Sequence, residues 1–239
     1  MGYRYDGTYV PSESGTPVYG YLHGARVLVI GDSIMSQSGF DTLHAFNGWM
    51  GHIKDKYSLD VVSEGIDGIL WYSTAARPTS ACTLLQNHLA DQPYDYVIFE
   101  IGTNDIRSGN WGANSVETAL SAEPSNAVDA HTFAGMKWCI ERVQETWPGA
   151  HIVVIMPCMR NNGGKAPTNY ASYKAYTDAV LDTYGIKRAY PSEEAGITLS
   201  MMHTDGIHLR QLVGGTTFTN DTQSVRRFSR CLEMALEEA

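Results

Sequence analysis

Short apolar runs alternate with helical patterns along most of the chain. The apolar runs end at Gly, Pro or polar residues and lie at 26–31, 59–63, 94–102, 151–157 and 185–189. Apolar residues recur at helical spacing at 49–57, 74–90, 130–147, 170–184 and 222–238. The β-branched run RVLVIG at 26–31 is typical of a strand that is buried on both faces. The pattern therefore predicts the order βαβαβαβαβα.

This order predicts one doubly wound α/β domain. Parallel strands need crossover connections, and helices supply them on both faces of the sheet. We therefore expect a parallel five-stranded sheet between two helical layers. The domain is predicted over 23–239, after an irregular lead-in at 1–22 that is rich in Tyr, Gly, Ser and Pro. The stretch 107–129 is predicted to be a long irregular loop, and such loops are commonly functional.

Composition and charge exclude several classes of function. The chain has 239 residues, of which 43% are hydrophobic and 18% are charged, as in ordinary globular proteins. Its net charge of −9 argues against nucleic acid and anionic membrane surfaces as partners. We expect no stable membrane association, because no apolar run has the length of a membrane span. The start of the chain has no apolar signal-peptide core, so a cytoplasmic location is the default; a virion-associated or otherwise exported protein without such a signal would look the same.

The cysteines give no sign of a metal site. Cys82, Cys139, Cys158 and Cys231 are dispersed, with neither a Cys-x-x-Cys pair nor zinc-ligand spacing. Buried free thiols are favoured, although the even number leaves a disulfide open.

Candidate catalytic groups follow the predicted strands, at the edge where open α/β sheets bind ligands. The first strand leads into Gly31-Asp32-Ser33, which places a hydroxyl nucleophile at a sharp turn. Gly65 follows the second strand and offers a backbone N–H, and Asn104 follows the third and offers a side-chain amide. Taken alone, each motif is at least as typical of a turn or a helix cap as of a catalytic site.

A carboxylate and an imidazole lie close together near the C-terminal end. Asp205 and His208 are three residues apart in the segment TDGIHL. The carboxylate can fix the imidazole tautomer, which leaves the other ring nitrogen to act as a general base on a serine. His203 lies nearby, but its spacing to Asp205 is too short for the same geometry, and a surface or capping role is favoured for it.

Together these motifs resemble the four blocks of the SGNH (GDSL) hydrolase family. In the family's order, over 26–209, they are Gly31-Asp32-Ser33, Gly65, Gly102-x-Asn104-Asp105 and Asp205-x-x-His208. The resemblance implies a flavodoxin-like three-layer α/β/α sandwich with no metal and no organic cofactor. It implies that Ser33 is the nucleophile, His208 the general base and Asp205 the residue that orients it. The backbone N–H groups of Ser33 and Gly65 and the side chain of Asn104 would form the oxyanion hole.

One position departs from the family pattern, and another separates the chain from a different family. The second block usually opens with Asn, whereas this chain has Ser63, which puts a supporting hydrogen bond in doubt. Met35 stands where the Gly-x-Ser-x-Gly nucleophile elbow has its second glycine, which separates the chain from the other plan of serine hydrolases.

Substrate contacts are expected from the loops. The candidates are Asn110 and Trp111 in 107–129, Arg160 after the fourth strand, and Asp32 in the first block. Aromatic and amide groups suit a sugar ring, although ordinary solvent-facing loop polarity explains them equally well. The tract VIFEIGTND at 97–105 resembles that of relatives that act on O-acetylated glycans. We therefore expect a short-chain O-acetyl esterase whose substrate is a small ester or an acylated glycan.

Other functions remain open at this stage. A lysophospholipase or thioesterase-type acyl hydrolase is the main alternative, and the lack of a long apolar lid weighs against membrane lipids. The same triad could transfer an acyl group to a sugar hydroxyl, as in a glycan O-acyltransferase. A non-catalytic glycan-binding module is a further alternative, but it has no need of the spacing between Asp205 and His208.

Overall fold

The computed structural model describes residues 22–36, 49–158, 169–194, 196, 212–213, 217–218 and 223–239. One parallel sheet holds β1 (Arg26–Gly31), β2 (Asp60–Gly65), β3 (Tyr96–Glu100), β4 (His151–Ile155) and β5 (Lys187–Ala189). The strands lie in the order β2-β1-β3-β4-β5. This order is flavodoxin-like, so the predicted α/β class and parallel five-stranded sheet are confirmed. The short strands β6 (Leu212–Val213) and β7 (Thr217–Phe218) form an antiparallel pair that was not predicted.

Each predicted helix has a counterpart in the structure. The helices are α1 (Ser33–Ser36), α2 (Trp49–Tyr57), α3 (Ala81–His88), α4 (Thr103–Ser108), α5 (Val116–Ser121), α6 (Thr132–Thr146), α7 (Tyr170–Thr183) and α8 (Gln223–Glu237). The helix predicted at 49–57 has the bounds of α2, and those predicted at 130–147, 170–184 and 222–238 differ from α6, α7 and α8 by one or two residues at their ends.

Local capping explains where the prediction was wrong. The helix expected from residue 74 begins at Ala81, because the Ser80 hydroxyl accepts a hydrogen bond from Thr83 N and the Thr83 hydroxyl accepts one from Ser80 N. The preceding segment is a tight turn in which Thr74 and Arg77 form an isolated bridge. A second reciprocal cap starts α5 inside the stretch 107–129, which was expected to be irregular throughout.

The two faces of the sheet bury separate cores. Leu28 and Ile30 of β1 pack in a cluster with side chains of α3, α6 and α7. Val27 and Val29, which alternate with them, pack on the opposite face with side chains of α2 and α8. All four side chains have no exposed surface, as expected for a central strand covered on both sides. The three layers of the α/β/α sandwich follow from this alternation.

Three further predictions concern regions outside the sheet. The cysteines are free and buried, and 3.7 Å separates the sulfur atoms of Cys82 and Cys139. None of the helices that the structure describes is long and apolar enough to cross a bilayer. The lead-in predicted at 1–22 lies outside the described residues except for Leu22, whose side chain is buried in the core with α2 and α8.

Candidate active site

The carboxyl ends of the first three strands meet at one edge of the sheet. Gly31, the last residue of β1, pairs with Gly65 of β2 on one side and with Glu100 of β3 on the other. From β1 the chain continues to β2, which pairs with one side of β1, whereas β3 pairs with the other side. The strand order therefore reverses at β1, and this is the topological switch point where open α/β sheets bind ligands. The structure therefore brings the first three sequence motifs together.

The nucleophile candidate stands at a turn that needs glycine. Ser33 begins α1 directly beyond β1 and is 8% exposed. A Cβ atom on Gly31 would lie 2.2 Å from Cβ of Met35, so a side chain at this position would push α1 away from the strand. The N–H of Ser33 belongs to the first helical residue, which has no acceptor within the helix.

Asp32 holds this turn and the oxyanion-hole candidate together. Its Oδ1 accepts a hydrogen bond from Ile34 N at 2.9 Å, which fixes the start of α1. Its Oδ2 accepts one from Nδ2 of Asn104 at 3.2 Å. Asp32 has no exposed surface, so it supports the site from beneath, and this placement does not present it to a substrate as the sequence analysis expected.

Asn104 lies in the first turn of α4, next to the Ser33 turn. Its Nδ2 also donates to the backbone oxygen of Ile69 at 3.1 Å, so both amide hydrogens have acceptors. Both distances are at the long end of the range for such bonds. A substrate oxyanion would have to share one of these hydrogens or displace its acceptor.

Gly65 keeps its N–H out of the pairing with β1. In this parallel pairing, only every second residue of β2 donates its N–H to β1. The series begins with Asp60 N, which donates to Ala25 O at 2.9 Å, and ends just beyond β2 with Ile66 N, which donates to Gly31 O at 3.1 Å. Gly65 falls between these positions, and β2 is the edge strand of the described sheet. Its N–H is therefore not taken up by β1, as an oxyanion donor requires.

The structure also buries two acids near this edge that the sequence analysis did not single out as functional. Glu100 is 1% exposed and Asp105 has no exposed surface. Burial, together with the charge of Asp32, raises the pKa of Glu100 well above its usual range. Burial likewise raises the pKa of Asp105 to about 7. Hydrogen bonds from the Thr132 hydroxyl and the Trp71 backbone N–H lower this pKa, but burial has the larger effect. The available signal for Glu100 was a carboxylate in the otherwise apolar run YVIFE.

Asp105 connects the site to the helix behind it. Its Oδ1 accepts a hydrogen bond from Oγ1 of Thr132 at 2.7 Å, at the start of α6. Its backbone oxygen accepts one from Nε1 of Trp111 at 2.8 Å. Trp111 is 7% exposed and packs edge-on against Tyr173. This placement gives Trp111 a packing role, because little of its ring is left for stacking on a sugar.

The remaining site predictions have different outcomes. Asn110 is exposed, and its Oδ1 lies 3.1 Å from Nδ1 of His131, so it remains accessible to a ligand. Asp205, His208 and Arg160 lie outside the described residues, and their predicted roles stay predictions. Among the residues that are described, no group of three or more His, Cys, Asp or Glu side chains is arranged to hold a metal ion.

Comparison with protein families gives a match over most of the chain. The model of the GDSL-like Lipase/Acylhydrolase family matches residues 29–209. This span runs from β1 through the segment with Asp205 and His208. The comparison with curated protein sequences found no match.

Several solved structures have a similar fold. TesA superposes with a TM-score of 0.60 at 20% identity, over 89% of this chain and 98% of that one. The psychrotrophic esterase EstA from Pseudoalteromonas sp. gives a TM-score of 0.55 at 16% identity, over 89% of this chain and 98% of that one. A variant of Axe2, an acetyl xylan esterase from Geobacillus stearothermophilus, gives 0.54 at 16% identity, over 90% of this chain and 95% of that one. At these identities the likeness concerns the fold.

Proposed function

The chain belongs to the GDSL-like lipase/acylhydrolase family and is a carboxylic ester hydrolase, and from this premise we propose that Ser33 is its nucleophile and forms an acyl-enzyme. In this mechanism His208 removes the proton from Ser33 as the hydroxyl attacks the ester carbonyl, and Asp205 orients the imidazole. The N–H groups of Ser33 and Gly65 and the amide of Asn104 stabilise the oxyanion. The alcohol leaves with the proton from His208, and a water molecule then releases the acid.

One observation carries this proposal. The carboxylate of Asp32 binds the turn of Ser33 through Ile34 N and binds Asn104 through Nδ2, at 2.9 and 3.2 Å. Nucleophile and oxyanion donor are thus fixed relative to each other before a substrate arrives. Such preorganisation lowers the cost of stabilising developing charge, since the oxyanion would share an Asn104 amide hydrogen that is already in place.

We propose short-chain O-acetyl groups on a carbohydrate as the first substrate class. The exposed amide of Asn110 beside His131 offers polar contacts to a sugar near the end of α4. An acetyl xylan esterase shares the fold, so this sandwich is compatible with removing acetyl groups from a glycan. The net charge of −9 also favours a neutral ester over an anionic lipid.

A panel of esters tests the reaction and the substrate class together. Acyl chains from acetyl to palmitoyl are offered on aryl, glycerol and sugar leaving groups, and kcat/KM is measured for the wild type, Ser33→Ala and Ser121→Ala. Ser121 is a matched control because it is the exposed last residue of α5, where its hydroxyl donates to the backbone oxygen of Thr118.

We expect the acetylated sugar to be the best substrate, and Ser33→Ala to lower its kcat on the order of 10⁴-fold or more. Ser121→Ala should match the wild type. Equal activity of Ser33→Ala and the wild type would overturn the proposed nucleophile. A preference for long acyl chains would replace the acetyl esterase with an acyl hydrolase of the lysophospholipase or thioesterase type.

A further inference from the structure

Two carboxyl groups are buried together beneath Ser33 and Asn104. Asp32 has no exposed surface, and Glu100, at the end of β3, is 1% exposed. The Asp32 backbone N–H donates to the backbone oxygen of Glu100 at 3.1 Å. The Asp32 carboxyl also acts on the Glu100 side chain, since its charge and a hydrogen bond shared with it raise the pKa of Glu100. A hydrogen bond between two carboxyl groups requires a proton on one of them, because an ionised carboxylate can only accept.

The other contacts of the pair indicate which group carries the proton. Asp32 accepts N–H groups from Ile34 and Asn104, and donors of this kind favour the charged form of a carboxylate. Oε2 of Glu100 is buried with no hydrogen-bond partner among the described residues. An ionised carboxylate with an unsatisfied buried oxygen is far more costly than a neutral acid in the same place.

We propose that Glu100 is a positioning residue, which holds its proton in the working enzyme and donates it in a hydrogen bond to the Asp32 carboxylate. Asp32 is thereby kept in the orientation that binds both the Ser33 turn and Asn104. The pair carries one negative charge, at Asp32, and a second charge beneath the oxyanion hole is avoided. Burial and the neighbouring Asp32 carboxyl both raise the pKa of Glu100, and together they outweigh the backbone N–H groups of Asp32 and Met35, which lower it.

The inference deepens the proposed function, because it assigns a support to the Ser33 and Asn104 machinery. Its consequence for catalysis follows from geometry. If Glu100 no longer donates to Asp32, that carboxylate can turn, and the Asn104 amide loses one of its two fixed partners. Displacing a catalytic donor by about 1 Å can lower the rate on the order of a hundredfold.

Two substitutions at Glu100 separate its roles as donor and as filler. Glu100→Gln keeps the size and an N–H donor, so kcat should stay within about threefold of the wild type. Glu100→Leu fills a similar volume without a donor, so kcat should fall roughly tenfold to a hundredfold with little change in KM. Glu145→Gln, which removes a solvent-exposed acid on α6, is the matched control and should leave both constants unchanged. A Gln variant as damaged as the Leu variant, or a Leu variant as active as the wild type, would overturn the proposal.

Infrared spectroscopy tests the proton itself and needs no activity. The wild-type minus Glu100→Gln difference spectrum near neutral pD should contain the C=O stretching band of a buried protonated acid. Labelling glutamate carboxyl carbons with ¹³C should shift this band, and labelling aspartate should leave it in place. A missing band, or one that shifts with aspartate labelling, would contradict the proposal. Ser33→Ala protein should give the same band, so this outcome is independent of whether Ser33 is the nucleophile.

Discussion

Acidic side chains lie at both edges of the parallel sheet, in opposite settings. At the amino edge, Asp60 forms an ion pair with Arg26 at 3.5 Å, and Oδ2 of Asp95 accepts Arg26 N at 2.7 Å; both acids are exposed. At the carboxyl edge, Glu100 and Asp105 are buried, and their side chains bind hydroxyl, amide and carboxyl groups. The same residue types thus serve as solvated strand ends on one side and as parts of a buried network on the other.

The difference shows where the chain accepts a cost in stability. Exposed ion pairs contribute little to folding and are easily replaced. Buried acids have pKa values far from their usual range, and they are retained where position and charge matter more than stability. Changes at the carboxyl edge should therefore alter catalysis and its pH dependence, whereas changes at the amino edge should alter neither.

The largest effect is expected from the proposed general base. His208→Ala should lower kcat on the order of 10⁴-fold or more, because Ser33 would lose its proposed general base. His203→Gln is the paired variant and should keep activity close to the wild type. Steady-state hydrolysis of an aryl acetate by both variants checks this. The reverse ranking would assign the base to His203.

Asn104 should give the next largest effect. Asn104→Ala removes one proposed oxyanion donor, which is expected to lower kcat about a hundredfold to a thousandfold, or ~3 to 4 kcal/mol of transition-state stabilisation. Asn110→Ala, at an exposed position just beyond α4, should change KM for a sugar ester more than kcat. Kinetics on matched aryl and sugar acetates distinguish the two. A loss below about threefold in kcat for Asn104→Ala would remove this side chain from the oxyanion hole.

Asp105 should make folding stability depend on pH. Its pKa rises from the ordinary 3.8 to about 7, so the folded chain binds this proton more tightly than the unfolded chain. The resulting stability is full below the ordinary value and is lost as the pH rises through about 7, a change of a few kcal/mol. Asp105→Asn should flatten this fall and keep the acceptor for Thr132. Urea unfolding of both proteins at several pH values measures the difference, and parallel curves would contradict the buried acid.

The amino edge should give the smallest effect. Asp60→Asn breaks the exposed pair with Arg26 and should lower the free energy of unfolding by less than about 1 kcal/mol. Its kcat should equal that of the wild type. Urea unfolding and hydrolysis of an aryl acetate check both expectations. A lower kcat for Asp60→Asn would contradict the expectation that only the carboxyl edge affects catalysis.

The sheet was predictable because its signal is local. The strands β1, β3 and β4 lie in short apolar runs that end at Gly, Pro or a polar residue, and β1 has the bounds predicted from RVLVIG. The start of α3 was missed because Ser80 and Thr83 cap each other, and this competes with a helical pattern that extends back to residue 74. Capping of this kind depends on side-chain geometry that periodicity does not contain.

The sequence indicated which residue types lie near the candidate site, but not which of their side chains are buried. The motifs placed Ser33, Gly65 and Asn104 at one edge, since the ends of neighbouring parallel strands converge there. Burial is a property of the packed layers, so the sequence suggested Asp32 and Trp111 as substrate contacts, whereas the structure buries both side chains. A carboxylate ending an apolar strand, as in Glu100, is the one local sign of such a buried network.

Labelling with a serine-reactive phosphonate that carries an ethyl group is the most direct test of the central claim. The wild type, Ser33→Ala and Ser121→Ala are treated, weighed as intact proteins by mass spectrometry and digested for peptide mapping. We predict one adduct per chain, on Ser33, in the wild type and in Ser121→Ala, and none in Ser33→Ala. An adduct on another residue, or a wild type that hydrolyses esters without forming any, would contradict Ser33 as the nucleophile.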